Sequence, residues 1–141
     1  MGLFLISIGL YGKEDMSIKA METAKKCGAL YFENYTSYYN DSLKGLSAFF
    51  GKEIIEVSRK DLEERSKKII EEAKKIDVGI LVIGDALSGT THSVLLLEAI
   101  ESSVEYNIVH GSSIFTAVAE TGLSLYKFGN TTSIPFENEN I

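Results

Sequence analysis

Two short segments carry the residues best suited to chemistry, Gly84-Asp85-Ala86-Leu87-Ser88-Gly89-Thr90-Thr91-His92 and His110-Gly111-Ser112-Ser113-Ile114. Each follows an apolar, strand-like run and opens a helix-like one. In an open parallel α/β sheet that is where ligands are held, in the crevice beyond the carboxyl ends of the strands. Asp85 stands at the end of the most apolar of these runs, where a carboxylate is costly unless it meets a partner. It either caps the following turn by accepting nearby N–H groups or orients an amine, a ribose hydroxyl or a sulfonium-bearing ligand, and position alone leaves both readings open. Thr90, Thr91 and His92 form a polar cluster at a helix start, where capping explains one threonine. His92 has no partner at metal-ligand spacing, and two histidines with one cysteine do not point to a dedicated metal site. His110 reads as a histidine hydrogen-bonded at a strand end. Gly111 to Ile114 bring small residues and free N–H groups to a helix start, an arrangement that suits a carboxylate or ribose but is generic.

The elements that must position these residues alternate regularly. Leu3 to Ile8 reads as a first strand, continuous in hydrophobicity and so buried on both faces. Ser17 reads as the N-cap of a helix striped by Ile18, Met21, Ala24 and Cys27, with Gly28 as its C′ residue. Ala29 to Glu33 is a second strand, 35–41 a polar and aromatic loop, Leu43 to Phe50 a short helix closed by Gly51, and Glu53 to Val57 a third strand. Ser58 with Asp61 resembles a capping box opening one long helix to Lys75. Leu62, Ile69, Ile70, Ala73 and Ile76 mark its buried face, and Glu63–Lys67, Glu64–Lys68 and Glu71–Lys75 form i,i+4 pairs on the solvated one. Val78 to Ile83 is the clearest strand. A helix over 91–104, a strand over 106–109, a helix over 113–122 and an extended piece over 131–135 complete the pattern. Alternation at this spacing predicts an α/β fold, a mostly parallel five-stranded sheet with helices on both faces.

The first strand-to-helix turn, Ser7-Ile8-Gly9-Leu10-Tyr11-Gly12, lacks the glycine that a dinucleotide fingerprint needs at position 7 and falls short of a phosphate loop. It reads as a tight turn or as a backbone wall against a flat ligand. The 141 residues make one domain, and 45% hydrophobic with 24% charged residues is ordinary globular composition. A net charge of −6 argues against a nucleic-acid partner. The apolar start is too short for a membrane span and has no basic leader. Cys27, the single cysteine, permits no internal disulfide and reads as a packed thiol in a reducing, cytoplasmic setting. Tyr31, Phe32, Tyr35, Tyr38 and Tyr39 could line a substrate mouth, although packing explains most of them.

These segments resemble diphthine synthase, of the tetrapyrrole-methylase-like class of S-adenosylmethionine-dependent methyltransferases. The similarity is carried by Ile8-Gly9-Leu10-Tyr11, Ala24-Lys25-Lys26-Cys27, Glu33-Asn34-Tyr35-Thr36-Ser37, Gly51-Lys52-Glu53-Ile54, Gly84-Asp85 with Thr90-Thr91-His92, His110 with Ser113-Ile114, and Thr121-Gly122-Leu123 through Tyr126-Lys127-Phe128-Gly129. The resemblance implies methyl transfer from S-adenosylmethionine to the modified histidine of translation elongation factor 2, in diphthamide biosynthesis. It implies that Leu10, Asp85, Ser88, Ser113 and Ile114 contact the methyl donor, and it assigns no group to take the acceptor's proton. It also implies that residues 1–141 are the N-terminal half, with a C-terminal α/β domain absent and needed for activity, and that a homodimer or a complementary chain is a fitting partner. Another methylase of the class, or a non-catalytic binding module, are the competing readings. The pattern departs at Ser7, where glycine is usual, and at Ala86 and Ser112, where proline is usual, which implies ligand loops that are looser or differently aimed.

Overall fold

Residues 1–63 and 65–132 are described in a computed structural model of the chain. Five strands, β1 (Gly2–Ser7), β2 (Ala29–Glu33), β3 (Ile54–Val57), β4 (Val78–Val82) and β5 (Glu105–Val109), form one sheet in the order β3-β2-β4-β1-β5. Every pair of neighbours runs parallel, as helical crossovers require. Alternation along the strands sorts the core into two layers. Leu3 and Leu5 of β1, with Val78, Ile80 and Val82 of β4, face one way; they pack on Leu62 of α3 (Arg59–Glu63), on Ile69, Ile70 and Ala73 of α4 (Lys67–Ala73), and on Leu95 and Ala99 of α5 (Ser93–Glu101). Ile6, Ile8, Leu81 and Ile83 face the other way, against Ala20 and Ala24 of α1 (Ile18–Lys26) and Leu46 and Phe50 of α2 (Leu43–Phe50).

The expected fold class is therefore the observed one, and most local signals act as read. The Ser17 hydroxyl accepts the Ala20 N–H, Gly51 ends α2 in the left-handed conformation, and Ser58 and Asp61 bond reciprocally. Several details differ. Helix α1 ends on an extended Cys27, so Gly28 is no left-handed cap; it lies against Ile76 and its N–H donates to the Asp77 carbonyl. The single helix expected over 58–75 is two, α3 and α4, with Arg65 and the buried Ser66 between them. The ion pairs recorded there among the described residues are Arg59–Glu63, Arg65–Asp61 and Lys74–Glu71 rather than Glu63–Lys67 and Glu71–Lys75; the expected Glu64–Lys68 pair lies outside the described residues. The last helix is one turn, α6 (Ile114–Ala117), continued by a 3-10 turn over Val118–Thr121. Of the extended piece expected over 131–135, Thr131 and Thr132 are coil and the rest lies outside the described residues. Among the described residues, no helix is long and apolar enough to cross a membrane.

This topology opens a crevice. Strands β1 and β4 are neighbours, yet the chain leaves β1 for α1 on one face and β4 for α5 on the other. Adjacent connections that diverge to opposite faces leave a gap at the carboxyl edge between them.

Candidate ligand cleft

The carboxyl ends of β1 and β4 are tied together before they diverge. The Gly84 N–H donates to the Gly9 carbonyl at 2.8 Å, and both residues hold φ near +80°, at 83° and 75°, where a side chain is strained. A Cβ on Gly9 would stand 2.3 Å from that of Asp15.

Asp85 follows this tie and gathers the loops around it. Its Oδ1 accepts the Leu87 N–H at 3.0 Å and the Ser88 hydroxyl at 3.1 Å. Its Oδ2 accepts the Gly111 N–H at 3.2 Å and lies 2.8 Å from His110 Nδ1. Burial alone would raise its pKa, but the Leu87 N–H, His110, the Gly111 N–H and the Ser88 hydroxyl together hold the carboxyl below the usual range. Of the two readings left open by the sequence, the structure shows the first: Asp85 caps its own turn, and it also ties the β4 loop to the exit of β5. His110 is a hydrogen-bonded histidine at a strand end, as read, and its partner is Asp85.

A second bond explains two of the sequence departures. The Ala86 N–H donates to the buried Ser7 hydroxyl at 2.9 Å, a bond that needs serine at 7 and a residue other than proline at 86. Ser7 also fills the space beside Gly111, whose added Cβ would come within 2.7 Å of it. The β4 loop is therefore tied to the end of β1 through a hydrogen bond.

These loops enclose a cleft of about 470 Å3. Leu10, Ile83 and Gly84 form one wall; Asp85, Ser88, Gly89 and Thr90 curve over it. Ser113, Ile114 and Phe115 close the far side, Thr36 and Ser37 the near one, and Thr131 and Thr132 reach the rim. Leu10, Asp85, Ser88, Ser113 and Ile114 thus converge on one volume, although 104 positions separate the first from the last. The Ser113 hydroxyl accepts the Phe115 N–H and sets the direction of α6. A lining that mixes apolar side chains with hydroxyls and a buried carboxylate suits an amphipathic ligand, and the carboxylate favours one carrying positive charge.

Other residues singled out in the sequence lie elsewhere. Thr90 and Thr91 cap nothing: the first donates to the Ala86 carbonyl and the second to Glu63, while His92 sits at the N-cap without a capping bond. Tyr31, Phe32 and Tyr39 are buried and Tyr38 is exposed; of that loop it is Thr36 and Ser37 that reach the cleft. Burial pushes the Cys27 thiol up to about 11, in keeping with an inert packed thiol.

Comparison with known proteins settles the family. Residues 2–139 match the model of the tetrapyrrole (corrin/porphyrin) methylases. The chain belongs to the tetrapyrrole methylases. Among them it is similar to diphthine synthase of Methanocaldococcus jannaschii, at 43% identity over 139 residues that cover 98% of this chain and 54% of that protein. It is similar to human diphthine methyl ester synthase at 38% identity over 134 residues, 95% of this chain and 47% of the relative. A crystal structure of diphthine synthase superposes with a TM-score of 0.87 at 43% identity, covering 90% of this chain and 51% of the other. The chain spans about half the length of these tetrapyrrole methylases.

Proposed function

We propose that the cleft binds S-adenosylmethionine and that the chain is the donor-binding N-terminal half of a diphthine synthase, acting in the cytoplasm on the modified histidine of elongation factor 2. The observation that carries this reading is the convergence of Leu10, Asp85, Ser88, Ser113 and Ile114 on one cleft, at the edge where such sheets hold ligands. The similarity to diphthine synthases over nearly the whole chain supports the same choice.

S-adenosylmethionine supplies a methyl group on a positively charged sulfur. The residues of the cleft fit such a molecule. Leu10, Ile83 and Ile114 offer apolar surface for a flat base, and Ser88, Ser113 and Thr36 offer hydroxyls for polar groups. Asp85 holds the two loops in register and places negative charge beside them. Methyl transfer is an in-line displacement, so the work of these residues is orientation and exclusion of water rather than strong base catalysis. A second α/β domain, on the same or a separate chain, forms the opposite wall, and pairing of two copies is the assembly that accompanies it.

The test is methyl transfer from labelled S-adenosylmethionine to elongation factor 2 bearing the modified histidine, with the complementary half of a relative added to this chain. Labelling that requires both halves, and that falls at least tenfold in Asp85→Ala, is expected. Binding of the donor without any labelling of that protein would assign the cleft to another acceptor.

A further inference from the structure

Behind the near wall of the cleft lies a buried polar cluster that the donor-binding reading does not use. Glu33, at the end of β2, is fully buried. Its Oε1 accepts the Tyr35 and Thr36 N–H groups at 3.0 and 2.8 Å, and its Oε2 accepts the Thr36 hydroxyl at 2.8 Å. His92 Nε2 stands 3.9 Å from that same Oε2, beyond hydrogen-bond reach, with its side chain only 1% exposed. Among the described residues neither ring nitrogen of His92 has a partner at good hydrogen-bond geometry, although the Ala86 carbonyl lies close enough to act on the ring. Buried polar atoms left unpaired are costly, and two on one ring call for an explanation.

The groups around the ring indicate what it awaits. Glu33 faces it from β2, Glu63 from α3, and the Ala86 carbonyl from the β4 loop. Tyr35 lies beside Glu33 and Glu63, its hydroxyl also without a partner among the described residues, with the Arg59 guanidinium of α3 5.6 Å from its ring centroid and 3.8 Å from Glu63. Burial holds the imidazole below its ordinary pKa, and the Glu33, Ala86 and Glu63 oxygens oppose that effect. A neutral ring has one N–H and can serve one of these acceptors; a protonated ring has two and can serve both Glu33 and Ala86.

Thr36 connects this cluster to the cleft, because it lines the cleft while its single hydroxyl hydrogen goes to Glu33. A ligand that accepts that hydrogen, such as a carboxylate, takes a donor away from the buried Glu33 Oε2. A group able to replace it is His92, whose Nε2 stands 3.9 Å away. We propose that Thr36, Glu33 and His92 form a relay through which a hydrogen-bond-accepting ligand in the cleft binds together with one proton, which settles on His92. The balance is simple: a proton from solvent forms the second N–H of the imidazole, the Thr36 O–H turns from Glu33 to the ligand, and no other bond changes. Linkage is reciprocal, so affinity for such a ligand rises as the pH falls toward the titration of His92. The inference rests on the proposed function only for the identity of the ligand.

Removing the Thr36 hydroxyl imitates the ligand without needing one. NMR titration of His92 in the full chain reads the result directly. Thr36→Val, and Thr36→Ala as a second variant in case the first does not fold, should raise the His92 midpoint by about one pH unit. Thr36→Ser should restore it. A folded variant in which His92 titrates as in the wild type overturns the relay. Calorimetry with S-adenosylhomocysteine, in two buffers of different ionisation heat, should show net proton uptake on binding, and binding with none also overturns it. Absence of binding counts against the proposed ligand instead, and the variant titrations then decide the relay by themselves.

Discussion

At the residue scale, Ser7 and Ala86 show how a departure in sequence becomes a contact in space. Ala86, where proline is usual, alone reads as a loss of backbone definition, and Ser7 alone reads only as a missing glycine. Together they make a buried 2.9 Å hydrogen bond that holds the β4 loop against β1, 79 positions away in the chain. Ser7→Ala leaves the Ala86 N–H buried and unpaired, and should cost about 1–3 kcal/mol of stability in urea denaturation. On an Ala86→Pro background, where that N–H no longer exists, the same change should cost about 1 kcal/mol less. Equal costs on both backgrounds would mean the bond is not what fixes the loop. Asp85 was legible as a residue of consequence because a carboxylate closing an apolar strand needs a partner. That its partners include His110 and Gly111 was not legible, since those bonds exist only once β5 is folded. That Glu33 and Thr36 meet His92 was not legible for the same reason: a buried carboxylate meeting an imidazole from another loop leaves no local spacing to read.

At the scale of elements, Gly79 illustrates what an apolar run conceals. It interrupts the most hydrophobic strand in the chain, where glycine is otherwise unfavourable. A Cβ there would lie 2.7 Å from the Leu30 side chain, 3.0 Å from Ile6 and 3.1 Å from the Cys27 sulfur, so the end of α1 can approach the sheet only over a glycine. Gly79→Ala should therefore destabilise by about 1–3 kcal/mol, read as a lower denaturation midpoint with an unchanged slope. No change would mean that α1 is free to shift outward. The strands and most helices were legible because burial on both faces and helical stripes are local patterns. The break between α3 and α4 was not, because Leu62, Ile69, Ile70 and Ala73 keep the same spacing in one straight helix or in two that face the same core. The boundary at Cys27 was misread because glycine suggests a left-handed cap, whereas Gly28 is needed for its closeness to Ile76.

For the whole molecule, strand order decides where function can sit. Nothing in the local sequence states that β4 lies between β1 and β2, yet that order places the loops after β1, β2, β4 and β5 around one cleft. The chain belongs to the tetrapyrrole methylases and spans about half the length of relatives such as the Methanocaldococcus jannaschii diphthine synthase. On the proposed function, the chain carries a donor-binding cleft organised by Asp85. The most direct test is an amide NMR titration of the chain with S-adenosylhomocysteine up to millimolar concentration. Saturable shifts gathered at Leu10, at Gly84 through Thr90 and at Ser113 and Ile114 are the predicted result. A spectrum of the folded chain that does not change, or one that changes only at the amino ends of the strands, would contradict it.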